Sequence, residues 1–280
     1  MNPLRLLRRS FDHGVHPAHL KEQTADLPIQ RVPFVDRYLM PLGQHIGAPC
    51  RAVVEVGERV RRGQKIAEAT AFVSTTLHSP VTGWVRQTDE FRSMDGSFSP
   101  AIEIEADPYA TQQEEPTDPV DWQSLSIEEF IAAVQEAGIV GMGGAAFPCH
   151  VKFSIPDGSK IRYLLVNGAE CEPYLTNDHR LMLERPDDLL RGAEIVRQKI
   201  GAEETVIGVE VNKPDAIEIL RQHVKADQPV RIVPLQVKYP QGAEKMLIKS
   251  IFDREIPAGL LPRDVEVNVN NVGTIVAIYD

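Results

Sequence analysis

The sequence predicts two domains: a small all-β domain, and after it an α/β domain with a largely parallel sheet. Three observations support this prediction. Apolar residues alternate between positions 51 and 106, helical and strand patterns alternate after position 124, and the stretch between them is rich in proline and acid. Period-two runs are typical of half-buried strands, whereas helices that alternate with apolar strands are typical of parallel sheets.

Composition limits the function classes. The chain has 280 residues, a formal net charge of −10 and 42% hydrophobic residues. Phosphate-rich partners are repelled by such a surface, so we expect no nucleic-acid partner. No run of about eighteen apolar residues occurs, so we also expect no direct membrane span. The three cysteines form no C-x-x-C pair, which predicts neither a disulfide framework nor an iron–sulfur cluster built from this chain alone.

Residues 1–50 are predicted to form an extended N-terminal arm, because prolines interrupt every helical pattern there. His13, His16 and His19 recur every three residues, but Pro17 breaks the helix that a shared metal-binding face would need. We therefore expect no metal site.

The alternating region is predicted to be a barrel-sandwich domain over residues 51–106. Its order, G-E-R-V-R-R-G-Q-K-I and then S-P-V-T-G-W-V, resembles the biotinyl and lipoyl carrier sandwich. Such carriers present a modifiable lysine on a hairpin, and residues 68–79 contain no lysine. The resemblance thus predicts the fold without the carrier chemistry, and a packing or docking role. Residues 107–123 are the predicted linker.

The α/β domain is predicted over residues 124–280. Ser126-Ile-Glu-Glu129 is a capping box that begins a helix, and Gly138 ends it. An apolar strand follows at 161–166, and helices and strands then alternate, with Pro214 opening one of the helices. This order predicts parallel strands joined by right-handed crossovers. The last apolar run stops about two turns after the cap at Asn271, so we expect a piece of a longer protein.

A glycine-rich loop precedes the first of these strands. Gly141, Gly143 and Gly144 lack side chains, which lets backbone N–H groups approach an anion, and Lys152 follows as a possible counter-charge. The spacing is neither the Rossmann nor the P-loop pattern. A turn without a ligand remains the alternative for these glycines.

A second loop follows the strand and carries Asn167, Glu170, Glu172 and Asp178. Ligands of open α/β sheets bind at this end of the strands. Asn271 and Thr274 are placed where a helix N-terminus can donate to a phosphate. Capping of backbone is the alternative role for the polar residues at the strand end. Cys149 and Cys171 are expected to be packing residues and not nucleophiles.

Together the two loops carry a family resemblance. G-M-G-G-A-A-F-P-C-H-V-K and N-G-A-E-C-E-P-Y-L-T-N-D-H-R resemble the flavin and NADH site shared by the 51-kDa flavoprotein of complex I and the RnfC component of the Rnf electron-transport complex. The wording E-C-E-P-Y, V-N-K-P-D-A-I and K-Y-P-Q-G-A-E-K is most similar to RnfC. The resemblance implies a Rossmann-like α/β domain that binds FMN and NADH.

The resemblance also implies residue roles. Glu170 is expected beside the isoalloxazine and nicotinamide rings and is the candidate catalytic residue. Ala169 stands where complex I flavoproteins carry an acid, which changes the ring hydrogen bonding. For Glu210 the match to a nucleotide-pocket acid and an ordinary strand-end glutamate stay open. The expected cofactor-binding residues are Gly141, Gly143, Gly144, Lys152, Asn167, Glu170, Asp178, Glu210, Asn271 and Thr274.

The implied function is that of an NADH-dependent flavin oxidoreductase within a translocase. Electrons pass from NADH through FMN to 4Fe-4S clusters, whose cysteines lie in a part of such proteins that is absent here. The expected partners are NADH and other subunits of a membrane redox complex, with the chain peripheral on the cytoplasmic side of the inner membrane. On its own the chain is expected to reduce its flavin without relaying electrons. A cobalamin-reductase-type flavoprotein and a non-catalytic docking module with a degenerate nucleotide site are the alternatives.

Overall fold

The computed structural model describes residues 9–93, 96–114, 118–156 and 158–280. Residues 1–8 of the predicted arm and residues 115–117 of the predicted linker lie outside this range. Two compact units are present: Arg31–Lys152 forms one, and the segment up to Gln30 joins Phe153–Asp280 in the other. The predicted linker therefore lies within one unit, and the glycine-rich loop belongs to the same unit as the alternating strands.

The unit Arg31–Lys152 is built on two antiparallel sheets. Its described strands are β1 (Arg37–Pro41), β2 (Arg51–Ala52), β3 (Arg59–Val60), β4 (Lys65–Glu68), β5 (Leu77–His78), β6 (Gly83–Arg92) and β7 (Phe98–Ala106). One sheet has the order β1-β7-β6-β3 and the other the order β2-β4-β5. Both sheets contribute to one core, in which Val60, Ile66, Val85 and Ile104 are fully buried. The predicted alternation therefore produces a β-sandwich.

Two helices follow the strands, α1 (Ile127–Glu136) and the short α2 (Cys149–Phe153). Helix α1 begins at the predicted capping box: Glu129 N–H donates to Ser126 Oγ at 3.1 Å, and Ser126 N–H donates to the Glu129 carboxylate at 2.7 Å. Both bonds satisfy amides that the helix itself leaves without a partner. The prediction of this helix start is confirmed.

The other unit contains a four-stranded sheet with the order β10-β9-β8-β11, in which every pairing is parallel. Its strands are β8 (Tyr163–Gly168), β9 (Glu204–Glu210), β10 (Val230–Leu235) and β11 (Val267–Asn271). The described helices are α3 (Asn177–Glu184), α4 (Pro186–Lys199), α5 (Pro214–His223), α6 (Glu244–Phe252), a 3-10 helix at Pro262–Val265, and α7 (Val272–Tyr279). The predicted parallel sheet is present.

Helices cover both faces of this sheet. On one face α6 packs Leu247 and Ile251 against Leu165 and Val206. Alternate residues of a strand point to opposite faces, and α4 packs on the other face beside α7. Glycine permits close contact there, because a Cβ at Gly192 would lie 2.2 Å from the carbonyl oxygen of Ile275.

The strand order reverses beside β8. The chain proceeds from β8 to β9 and β10 in one direction, and β11 then returns to the opposite side of β8. Asn167 and Asn271 are register partners at the carboxyl ends of β8 and β11. A reversal of this kind opens a crevice beyond the strand ends, where ligands of open α/β sheets bind.

The first described residues lie along this second unit. Arg9 forms a parallel bridge with Leu235, and Val15 forms an antiparallel bridge with Tyr239. The Lys238 ammonium donates to the carbonyl groups of Phe11 and, at 2.9 Å, of His13. Among the described helices, none has both the length and the apolar character that crossing a membrane requires.

Candidate functional site

The glycine-rich loop spans residues 141–147 in the unit Arg31–Lys152. It is closed by a bridge between Val140 and Pro148, and Gly141 N–H donates to the Phe147 carbonyl at 2.8 Å. A Cβ at Gly144 would meet no described atom within 4 Å, and its φ lies outside the left-handed region. The protein's own packing therefore does not require glycine at position 144. Gly143 beside it is exposed.

Both ends of the glycine-rich loop are tied to residues 69–76, which we call the hairpin segment. Before the loop, Thr76 Oγ1 donates to the Glu136 carbonyl at 2.6 Å, and a Cβ at Gly138 would lie 2.8 Å from the Thr76 oxygen. After the loop, His150 Nε2 donates to the Phe72 carbonyl at 2.7 Å. This segment falls where carrier domains present their lysine. Here its backbone holds the loop in place.

The predicted counter-charge, Lys152, lies half-buried on α2 in the same unit as the glycine-rich loop. Cys149 is buried on the same helix, and burial raises its pKa to about 12. A thiol with that pKa is almost entirely protonated at neutral pH, so it is a poor nucleophile. Cys171, in the other unit, is also buried and its pKa is raised, mainly by burial.

The polar cluster at the carboxyl edge of the parallel sheet begins with Asn167. Its Nδ2 donates to the Gly242 carbonyl at 2.8 Å, and its Oδ1 accepts from Ala169 N–H at 3.0 Å. A Cβ at Gly242 would lie 2.5 Å from the carbonyl oxygen of Ala169. Asn167 and Gly242 therefore join the loops that follow β8 and β10.

Glu170, Asp178 and Asn271 form a connected chain of side chains at the reversal point. Asp178 N–H donates to Glu170 Oε1 at 2.9 Å, and Asn271 Nδ2 donates to Asp178 Oδ2 at 2.5 Å. Asp178 is buried, and its pKa is raised to about 7 by burial first and by the charge of Glu170 second. Since each partner lies on a different element, this chain fixes the geometry of the reversal point.

Glu210 and Lys213 form a buried ion pair at the same edge, with Oε2 and Nζ 2.9 Å apart and side chains 0% and 2% exposed. Lys213 lowers the pKa of Asp178, although more weakly than burial and Glu170 raise it. Glu210 Oε1 and Glu170 Oε2 are buried without a hydrogen-bond partner among the described residues. Unpartnered buried acceptors are costly and occur at sites that receive donors from a ligand.

Lys21 also reaches this edge, and the sequence interpretation missed it. Its ammonium donates to the carbonyl groups of Glu170 at 2.6 Å and Leu175 at 2.5 Å. Burial and, second, the charge of Lys213 lower the pKa of Lys21. No local pattern marks this residue, because its partners lie about 150 positions further along the chain.

The structure thus groups the predicted residues within each unit. The second unit brings Asn167, Glu170, Asp178, Glu210 and Asn271 to one sheet edge, and Thr274 is buried in the first turn of α7. The first unit holds Gly141, Gly143 and Gly144 in one loop, with Lys152 on the helix after it. In the described part of the chain, no three histidine, cysteine or acidic side chains are placed to hold a metal ion.

Two family models match the chain. The RnfC barrel sandwich hybrid domain matches residues 9–109, and the Nuo51 FMN-binding domain matches residues 134–280. A solved structure of an NAD+-reducing [NiFe]-hydrogenase in the air-oxidized state is similar over 55% of this chain and 30% of its own, with 25% identity and a TM-score of 0.49.

Curated relatives have names of one kind, each being the C component of a redox complex. That of the proton-translocating ferredoxin:NAD(+) oxidoreductase complex of Clostridium ljungdahlii is 43% identical over 97% of this chain and 59% of its own length. Its Na(+)-translocating counterpart in Acetobacterium woodii is 39% identical over 97% of this chain and 61% of its own length. In the ion-translocating oxidoreductase complex of Pseudomonas aeruginosa, the corresponding protein is 42% identical over 97% of this chain and 35% of its own length.

The chain therefore spans about three fifths or less of the length of these relatives. The resemblance seen in the sequence is confirmed by the family models and by these relatives together. The chain belongs to the RnfC family of the Rnf complex, with an RnfC barrel sandwich hybrid domain followed by a Nuo51 FMN-binding domain.

Proposed function

We propose that this chain binds FMN and NADH and passes electrons from NADH to FMN as a subunit of an Rnf-type membrane complex. The observation that supports this most directly is the polar cluster at the reversal point of the parallel sheet. It contains two buried carboxylate oxygens without a donor, on Glu170 and Glu210. The relatives that share most of this chain are named as components of ferredoxin:NAD(+) oxidoreductase complexes, and the whole complex reaction is part of the proposal.

The residues present fit a flavin nucleotide. Flavin and nicotinamide nucleotides carry ring N–H, amide and ribityl or ribose hydroxyl donors, which are the groups that unpartnered carboxylate oxygens accept. The open space at Gly144 leaves backbone bare, and bare backbone N–H groups are suited to a phosphate. These features support a nucleotide ligand in a chain whose formal net charge is −10.

The proposed contacts follow the predicted residues. Glu170 would orient the reacting rings, and Thr274 would lie near the N-terminus of α7, whose dipole favours an anion. The complete set is Gly141, Gly143, Gly144 and Lys152 from one unit, and Asn167, Glu170, Asp178, Glu210, Asn271 and Thr274 from the other. Bound FMN supplies the redox chemistry, since it accepts two electrons as hydride and releases them singly.

The chain's own residues would set the conditions for that transfer. Burial of Glu170 and Glu210 keeps water away from their carboxylates, which strengthens their hydrogen bonds to a ligand. Asp178, with a pKa of about 7, retains a proton on its carboxyl group below that pH and so reduces the negative charge beside Glu170. The proposed electron acceptors are 4Fe-4S clusters, and the proposed location is the cytoplasmic side of the inner membrane.

The test is a titration of the purified chain with FMN, followed by flavin fluorescence. Gly144→Arg fills the open space at the glycine-rich loop, and Gly43→Arg is the matched control, because a Cβ there also meets no described atom within 4 Å. We expect Gly144→Arg and Gly143→Arg to weaken binding by about tenfold or more, equivalent to about 1.4 kcal/mol. Addition of NADH should bleach the bound flavin of the wild type. Equal affinity in all four proteins would remove the loop from the site.

A further inference from the structure

The segment before the barrel sandwich, residues 9–29, lies across the second unit from the end of β10 to α3. Its later contacts are with the loop after β8 and with α3. Tyr174 N–H donates to the His19 carbonyl at 3.0 Å, and Thr176 Oγ1 donates to Thr24 Oγ1 at 2.9 Å. Ile29 N–H donates to the carboxylate of Glu184 at 3.0 Å. This segment therefore covers one side of the loop that follows β8.

Lys21 is the charged side chain at the centre of this contact. Its ammonium binds the carbonyl of Glu170 at one end of residues 170–175, which we call the acidic loop, and the carbonyl of Leu175 at the other. The Glu170 carboxylate lies 3.8 Å from the same ammonium, a distance that allows an ion pair but not a hydrogen bond. The Lys21 side chain is 11% exposed. One ammonium thus joins both ends of the acidic loop.

The local charges make this contact important. Glu170 and Glu210 are buried beside the exposed Glu172, and Lys213 is already paired with Glu210. Lys21 is therefore the cation that lies against Glu170. Breaking such a contact leaves a buried carboxylate uncompensated, which is more costly than losing a surface ion pair.

We propose that Lys21 is a positioning residue of the nucleotide site, which holds the acidic loop in the conformation that presents Glu170 and Asp178 at the sheet edge. This inference rests on the proposed FMN and NADH binding. Lys21 belongs to the range matched by the barrel sandwich model and lies outside the range matched by the FMN-binding model. The N-terminal segment therefore supplies part of the site that the second domain carries.

The experiment measures hydrogen–deuterium exchange in peptides that cover residues 171–178, together with FMN affinity. Lys21→Met removes the ammonium and keeps a side chain of similar length. Lys160→Met is the matched control, because Lys160 lies in the same unit and its pair with Glu203 is exposed. Lys21→Gln, which keeps a shorter donor, serves if Lys21→Met does not fold.

We expect Lys21→Met to speed exchange in these peptides by about tenfold or more and to weaken FMN binding by a similar factor. Lys160→Met should leave both unchanged. Unchanged exchange in Lys21→Met would overturn the positioning role whether or not the protein binds flavin. Faster exchange with wild-type FMN affinity would overturn the assignment to the nucleotide site. A wild type that binds no FMN would overturn the proposed function, and the exchange result would still decide whether Lys21 holds the loop.

Discussion

Asn271 donates from Nδ2 to Asp178 Oδ2 over 2.5 Å, and this bond joins two positions 93 residues apart in the chain. The other end of the same amide caps α7, since Gly273 N–H donates to Asn271 Oδ1 at 2.8 Å. One side chain therefore links the end of β11, the first turn of α3 and the start of α7. This link fixes Asp178 at the reversal point of the sheet.

The pH dependence of stability follows from the environment of Asp178. Its pKa is raised to about 7, because burial and then the charge of Glu170 disfavour the carboxylate. A carboxyl group whose pKa is raised on folding binds its proton more tightly in the folded state, so its contribution to stability is lost as pH rises from about 4 to about 7. We expect wild-type stability to fall across this window relative to Asp178→Asn, by up to a few kcal/mol.

This prediction is measured as Tm between pH 5 and pH 8. Asp253→Asn is the control, because a hydrogen bond from Lys249 lowers the pKa of this exposed carboxyl. A lowered pKa contributes stability that is lost only as pH falls below about 4, outside the measured window. The wild type and Asp253→Asn should therefore decline in parallel, and Asp178→Asn should decline less. Three parallel curves would contradict the assigned pKa.

The support of the glycine-rich loop is tested at His150. This side chain is fully buried and donates to the Phe72 carbonyl at 2.7 Å. His150→Phe keeps the ring and removes the donor, which leaves a buried carbonyl without its partner. We expect a loss of about 1–3 kcal/mol in the free energy of unfolding, measured with urea. His223→Phe breaks an exposed pair with Asp187 and should cost less than about 1 kcal/mol. Similar losses in the two variants would argue against a supporting role.

Local patterns in the sequence predicted local structure. Ser126 with Glu129, Pro214 at a helix start and Asn271 at a cap each act within a few residues, and the structure has all three where they were expected. The parallel sheet was also predictable, because its strands are apolar runs separated by amphipathic helices. These features depend on neighbours in the chain, so a single sequence is enough to find them.

Contacts between distant parts of the chain were not predictable. Lys21 contacts Glu170 across 149 positions, and His150 contacts Phe72 across 78. Neither residue has a local pattern that distinguishes it from a surface lysine or an ordinary packed histidine. Lys213 follows a strand and would be expected in solvent, yet the fold buries it against Glu210. The sequence thus located the loops of the site and missed the residues that hold them.

The buried pair of Glu210 and Lys213 is tested by removing one partner and then both. Lys213→Met leaves the fully buried Glu210 without its cation, and we expect a loss of about 3–5 kcal/mol in the free energy of unfolding. The double variant Glu210→Gln with Lys213→Met has no buried charge and should recover much of that loss. Additive losses in urea denaturation would show that the two side chains do not act as a pair.

The last prediction separates a glycine required by packing from one that the fold does not require. A Cβ at Gly242 would lie 2.5 Å from the Ala169 carbonyl, whereas a Cβ at Gly144 would meet no described atom within 4 Å. Gly242→Ala should force the loops after β8 and β10 apart, break the bond from Asn167, and lower the free energy of unfolding by about 1–3 kcal/mol. Gly144→Ala should leave it within about 0.5 kcal/mol of the wild type. Both are measured by urea denaturation without flavin. If Gly144→Ala were the less stable of the two, the glycine at 144 would be required by the fold, and its place in the nucleotide site would lose its physical basis.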